Sequence, residues 1–231
     1  NLTLQATDLE LSIQFTIPAL VEEEGRSVFP GKLFFDIVKN LPDAAVHVET
    51  GEDSAVITCD ASSFSIKTLD AEDFPGFPHV DTQQAISIPF SQFSSMVKRV
   101  ARVVSKDESR AILTGVLITF EGETLKMVAT DSYRLAITEA QLGEPAAEGF
   151  QAVISGSFLQ ELASLTRTDD PLTIALAENQ IVVTYHDTVF INRRIEGNFP
   201  NYRQLLHDSY ATRVSLNVSH LVSGVKRTSI L

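Results

Sequence analysis

Met127-Val128-Ala129-Thr130-Asp131-Ser132-Tyr133-Arg134-Leu135-Ala136 joins two apolar-alternating runs at a polar corner. Upstream, Val116, Ile118 and Phe120 alternate, and downstream Leu135 and Ile137 do, so the stretch predicts two strands meeting at a turn. Asp at such a corner is ordinarily a turn residue that bonds its own backbone. Asp131 with Arg134 could also be an acid with an electrostatic stabiliser, but the sequence offers no second carboxylate to tune its pKa.

The corner has a copy, Ala6-Thr7-Asp8-Leu9-Glu10-Leu11. Three further matches follow in the same order: Phe74-Pro75-Gly76-Phe77 with Phe199-Pro200-Asn201-Tyr202, Phe34 to Val38 with Phe158 to Leu162, and Lys98-Arg99 with Lys226-Arg227. Their offsets of 123 to 128 residues imply tandem units of one domain size. The expected division is 1–82, a first unit lacking its N-terminal part, 83–209, a complete unit, and 210–231, the start of a third. A longer protein with at least three units is therefore expected.

Each full unit reads as two helices and about eight strands, antiparallel because the turns are short, which makes the fold class α+β. Strands are predicted at Leu9 to Ile17, Val46 to Glu49, Ala55 to Thr58, Phe64 to Leu69, Ala85 to Ile88, Val116 to Phe120, Leu125 to Ala129, Arg134 to Glu139, Leu172 to Ala177, Ile181 to Tyr185 and Val189 to Ile195. Helices are predicted at Lys32 to Leu41, with Leu33, Phe34, Ile37 and Leu41 buried, at Ser91 to about Ser105, capped by Ser91, and at Ser157 to about Leu165. Asp70 to Thr82, with its prolines, is the linker.

In the helix from Ser91, the apolar residues Phe93, Val97, Val100 and Val104 share one face. Lys98, Arg99, Arg102 and Lys106 cluster about 180° away. A cationic helix face is ordinarily just solvated. Here the pattern recurs, because Lys32 with Lys39 and Lys226 with Arg227 also put cations on helices. In a chain of net charge -12, cations gathered on helices point to a positive concave surface inside a negative shell.

Composition, with 44% hydrophobic and 21% charged residues, is that of a globular chain with a core. The single Cys59 excludes a disulfide framework and suits a reducing, cytoplasmic compartment. No apolar run reaches membrane-spanning length, so no membrane role is predicted. The five histidines show no metal-ligand spacing, and neither a phosphate-binding glycine loop nor a nucleophile elbow occurs, so no metal, cofactor or catalytic residue is predicted.

Ala129 to Ala136, Ser109-Arg110, Leu113-Thr114-Gly115 and Gly197-Asn198-Phe199-Pro200-Asn201-Tyr202 together resemble the bacterial DNA polymerase III beta subunits, the replicative sliding clamp family. The resemblance runs through the whole chain. It implies tandem repeats of the DNA clamp fold, each with two helices backed by antiparallel sheets. It also implies a processivity factor, a non-catalytic subunit of a DNA-directed DNA polymerase, which closes as a head-to-tail homodimeric ring around double-stranded DNA. Sliding needs sequence-independent attraction to phosphates. Lys32, Lys39, Lys98, Arg99, Arg102, Lys106 and Arg110 would supply it.

The resemblance further implies a pocket of Leu113, Thr130, Tyr133, Arg134, Leu135, Pro200 and Leu205 for short peptide motifs. Its partners would be the DNA polymerase III alpha subunit, the clamp loader and repair polymerases. For Leu113 and Leu135 the plain alternative is core. The dimer contact would join Phe64 and Ile66 to Ile230 and Leu231. Ser155-Gly156-Ser157 opens the second helix where family members often carry basic residues. The competing readings are a hydrolase using Asp131 and His186 and a duplicated ligand-binding β protein.

Overall fold

A computed structural model of the chain describes residues 1–77, 85–143, 150–165, 168, 170–177, 179–207 and 209–230. The chain divides into two compact units, Asn1–Asn198 and Phe199–Leu231. The predicted boundary after Thr82 lies outside the described residues.

The first unit is α+β, with antiparallel pairing in each of its sheets. It opens with strands β1 (Leu2–Thr7) and β2 (Leu11–Ile17), helix α1 (Gly31–Lys39), and strands β3 (Val46–Thr50), β4 (Ser54–Cys59) and β5 (Ser62–Lys67). It continues with β6 (Ile86–Pro89), α2 (Phe90–Val100), β7 (Gly115–Glu121), β8 (Thr124–Thr130), β9 (Leu135–Gln141), β10 (Phe150–Ser155), α3 (Gly156–Ser164), β11 (Pro171–Leu176), β12 (Gln180–Tyr185) and β13 (Thr188–Arg193). From β6 to β13 this is two helices and eight strands among the described residues, the composition predicted for a full unit.

The strands form sheets in the orders β1-β2-β13-β12-β11-β6, β10-β7-β8-β9 and β3-β4-β5. β2 pairs with β13, Ile13 opposite Phe190, so one sheet runs from the first repeat into the second and each strand covers the other's edge. β1 and β10 were not among the predicted strands. Leu9, predicted within a strand, has φ of 76° and lies outside β2. The Asp8 carboxylate accepts from the Glu10 and Leu11 N–H groups and turns the chain there.

The main core is shared by α2, α3 and the strands around them, with Phe90, Phe93, Phe120, Leu125, Met127, Ile154 and Leu159 fully buried. Phe93, Val97 and Val100 form the buried stripe of α2 as predicted. Both ends of α2 differ from the sequence reading. It starts at Phe90, whose N–H reaches the Asp170 carbonyl at 3.2 Å, so no Ser91 cap is needed. It ends at Val100 rather than near Ser105, because the chain turns to pair Ser105 N–H with the Leu113 carbonyl at 2.8 Å. A short 3-10 helix, Glu108–Leu113, follows, capped by Asp107.

α3 is capped by Ser155. A Cβ at Gly156 would sit 2.9 Å from Val104 and 3.0 Å from the Thr114 carbonyl, so this position needs glycine for close approach. Ser94 Oγ donates to the Ala163 carbonyl at 3.0 Å and locks α2 to α3. α1, the counterpart of α3, has no such partner helix among the described residues of its repeat. Leu33, predicted buried, is therefore 47% exposed, and Phe34 is only half-buried where its counterpart Phe158 is buried. A smaller core of Ile37, Ala55, Ile57 and Ile66 joins α1 to β4 and β5.

The second unit holds a 3-10 turn, Tyr202–Leu205, and helix α4 (Val218–Thr228), capped by the Asn217 side chain. Val214 to Leu216, which match β6 in sequence, lie outside any strand, because β6 owes its conformation to pairing with β11. No helix among the described residues is long and apolar enough to cross a membrane.

Candidate functional site

The corner between β8 and β9 is built from its own side chains. Asp131 Oδ1 accepts from the N–H groups of Tyr133 and Arg134, both at 3.0 Å. Thr130 Oγ1 accepts from Ser132 N–H at 3.2 Å and donates to the Arg134 carbonyl at 2.8 Å. These bonds hold Ser132 at a φ of 78°. Arg134 Nε donates to Asp131 Oδ2 at 2.9 Å. That bond, followed by the Tyr133 N–H, lowers the Asp131 pKa to about 2.

Two guanidinium groups tie the corner to the segment after α2. Arg134 Nη2 donates to the Arg102 carbonyl at 3.2 Å. Arg110 Nη1 donates to Ser132 Oγ at 3.0 Å, while its Nε pairs with Asp107 at 3.2 Å. The Asp107 pKa is lowered, first by the Ser109 hydroxyl. Tyr133 stands 93% exposed at the tip, Leu135 is half-buried beside it, and Leu113 and Thr130 are buried. Corner chemistry is thus an amphipathic rim over apolar support.

Along α2 lies an open groove of about 470 Å³ lined by Ser91, Ser94, Ser95, Lys98, Arg99 and Arg102. Ser91, Ser95 and the three cations suit contact with phosphate oxygens, which carry no sequence information, whereas the Ser94 hydroxyl is buried and committed to the Ala163 carbonyl. Arg102 and Lys106 are exposed but lie beyond the end of α2, so the shared helical azimuth predicted for them does not apply, although Arg102 still lines the groove. Lys32 and Lys39 are exposed on α1, Lys39 with its ammonium 5.5 Å from the Phe35 ring centroid. Arg110 is committed to Asp107 and Ser132. Ser91 and Ser95 went unrecognised as groove residues, although their spacing with Lys98 is that of one helix stripe.

On β5, Phe64 is exposed and Ile66 buried. Ile66 packs in the core with Ile37 and Ile57, while Phe64, two residues earlier on the same face of β5, is the exposed apolar residue of that face. In the second unit Pro200, Leu205 and Ile230 are exposed, and Leu231 lies outside the described residues. His186 directs Nε2 to Thr168 at 3.3 Å and Asp170 at 3.6 Å. Both contacts fall on one ring nitrogen, whereas a relay needs both. Asp131, held ionised by Arg134, is a poor general acid or base near neutral pH. The hydrolase reading loses both of its residues.

Residues 1–78 match the family described as DNA polymerase III beta subunit, N-terminal domain, and residues 87–201 its central domain. The chain belongs to the DNA polymerase III beta subunit family. It is 32% identical over 99% of its length to the beta sliding clamp of Staphylococcus epidermidis and covers 63% of that protein. It is 31% identical to the beta sliding clamp of Synechocystis sp., covering all of this chain and 64% of the relative. Among solved structures, the DNA polymerase sliding clamp of Bacillus subtilis matches with a TM-score of 0.91 and 29% identity over 97% of this chain and 62% of that one. The putative beta subunit of Eubacterium rectale matches with a TM-score of 0.94 and 27% identity over 99% and 63%. The chain thus spans about 63% of the length of the curated beta subunit it matches in Staphylococcus epidermidis.

Proposed function

We propose that this chain serves as part of a processivity factor that encircles duplex DNA, slides on it and tethers a polymerase. The α2 groove carries the reading: hydroxyls and cations gathered in one groove provide phosphate attraction without sequence preference. Residues 1–82, 83–209 and 210–231 act as successive clamp domains. Lys98, Arg99 and Arg102 face the DNA from the groove, with Lys32, Lys39, Lys106 and Arg110 adding to the field. Two copies join head to tail, with Phe64 supplying apolar surface on one side and Ile230 with Leu231 on the other; Ile66, next along the same face of β5, contributes from the buried edge of that surface. Such a ring works in the cytoplasm with the polymerase alpha subunit, the clamp loader and repair polymerases.

The β8–β9 corner receives their short peptide motifs. Leu135 and Leu113 offer apolar support to an aliphatic or aromatic anchor, Thr130, Tyr133 and Arg134 form the rim, and the resemblance adds Pro200 and Leu205. Burial of one such anchor contributes about 1.5–3 kcal/mol. The test of the DNA reading is retention of the intact ring-forming protein on circular against linear DNA. Retention on circles alone is expected, and Lys98→Glu with Arg102→Glu should abolish much of it. Equal loss from both DNA forms would refute encirclement.

A further inference from the structure

The two carbonyls that follow the last residue of α2, Ala101 and Arg102, are taken by side chains from elsewhere. Gln160 on α3 donates to the Ala101 carbonyl at 3.2 Å, and Arg134 on the corner donates to the Arg102 carbonyl at 3.2 Å. Ala101 is buried, while Arg102 sends its side chain into the groove. The outermost groove cation therefore stands on a peptide group whose hydrogen-bond partner is a side chain of the β8–β9 corner. Arg134 can hold that peptide because its guanidinium is fixed from the other side by Asp131 at 2.9 Å. A planar fork spans two acceptors, which a lysine ammonium does less well.

We propose that Arg134 is a positioning residue for DNA binding: by bridging the Asp131 carboxylate and the Arg102 carbonyl, it fixes the end of α2 and aims the Arg102 side chain into the groove. The proposal rests on the reading of the groove as the DNA-facing surface. It makes the corner serve two surfaces, its own exposed rim and the groove behind it. Arg134 acts on DNA only through Arg102.

The test is a double-mutant cycle on the 231-residue chain, with equilibrium binding to duplex DNA measured by fluorescence anisotropy across a salt series and folding followed by thermal melting. Arg102→Ala keeps the carbonyl that Arg134 holds and removes the phosphate contact. At about 0.1 M salt it should weaken binding by roughly 8-fold and lower the salt slope by about 0.9. Arg134→Met should cause a smaller loss of the same kind, and none in the Arg102→Ala background. Arg134→Lys keeps the charge and an ion pair to Asp131, so it guards against simple unfolding of the corner; it should bind DNA like the Met variant. Additive losses, no loss with Arg134→Met, or full binding by Arg134→Lys would each overturn the positioning role. Absence of binding by the parent chain, or an Arg102→Ala variant equal to it, would instead overturn the DNA-facing groove and the proposal with it.

Discussion

The two Thr-Asp corners of the molecule share a backbone and differ in what they are attached to. At both, the aspartate takes two N–H groups, the threonine hydroxyl takes one, and the next residue is left-handed, Leu9 at 76° and Ser132 at 78°. At the first corner the position of Arg134 is filled by Leu11, which packs against the main core. Its Glu10 carbonyl accepts from Arg193 N–H at 3.0 Å and from Asn192. The first corner is a joint in a continuous sheet. The second has Arg134 in place of that leucine, leaves Tyr133 in solvent and reaches back to the end of α2. One turn thus serves two purposes, and the residue three places after the aspartate decides which.

Exchanging that residue should give the largest effect. Leu11→Arg strips apolar burial from the first corner and is expected to destabilise the chain by about 2–3 kcal/mol in urea unfolding. Arg134→Leu at the second corner should cost under about 1 kcal/mol, because the Arg134 side chain is 61% exposed and ion pairs open to solvent contribute little. Comparable losses from the two substitutions would erase the distinction drawn between joint and surface.

The threonines come next. Thr130 is 5% exposed and its hydroxyl serves both an N–H and a carbonyl, so Thr130→Val should cost about 1–2 kcal/mol. Thr7 is only half-buried and can pass its second bond to Ser12 at 2.9 Å, so Thr7→Val should cost about half as much. The same urea titration ranks them, and a larger loss at Thr7 would reverse the assignment.

Glycine should relax the first corner more than the second. Leu9 is 75% exposed and strained, so Leu9→Gly is expected to stabilise by about 0.5–1 kcal/mol. Ser132→Gly relieves similar strain but removes the Arg110 bond, and its net effect should be near zero. Thermal melting of the pair checks the difference.

The smallest effect is in acid. Asp131 and Asp8 both have lowered folded-state pKa values, Asp131 chiefly through Arg134 and down to about 2, Asp8 chiefly through the Leu11 N–H. Groups of this kind stabilise the fold above their unfolded pKa of about 4 and lose that contribution as pH falls through the folded value. Between about pH 4 and 2, Asp131→Asn should therefore flatten the fall in stability more than Asp8→Asn does. A greater flattening with Asp8→Asn would show that Arg134 does not govern this corner's titration.

Much of this was legible in the chain. Asp131 reads as a turn residue because its side chain satisfies neighbouring N–H groups, a local matter, whereas at the copy Leu9, predicted within a strand, turns instead. The buried stripe of α2 was legible from 3.6-residue periodicity. β10 was not, because Phe150 to Ser155 has weak alternation and becomes a strand by pairing with β7. The end of α2 was not either, since the partner that turns Ser105 away is Leu113.

The sequence by itself determined the repeat, the α+β class, the Asp131 corner and the cluster of cations on and after α2. These depend on period, turn chemistry and charge, which are properties of neighbours along the chain. Only the tertiary structure decided where α2 stops, which cations share a groove, and that Arg134 reaches the Arg102 carbonyl across 32 residues of sequence. Those outcomes depend on which distant donor meets which orphaned carbonyl, and no local pattern encodes that meeting.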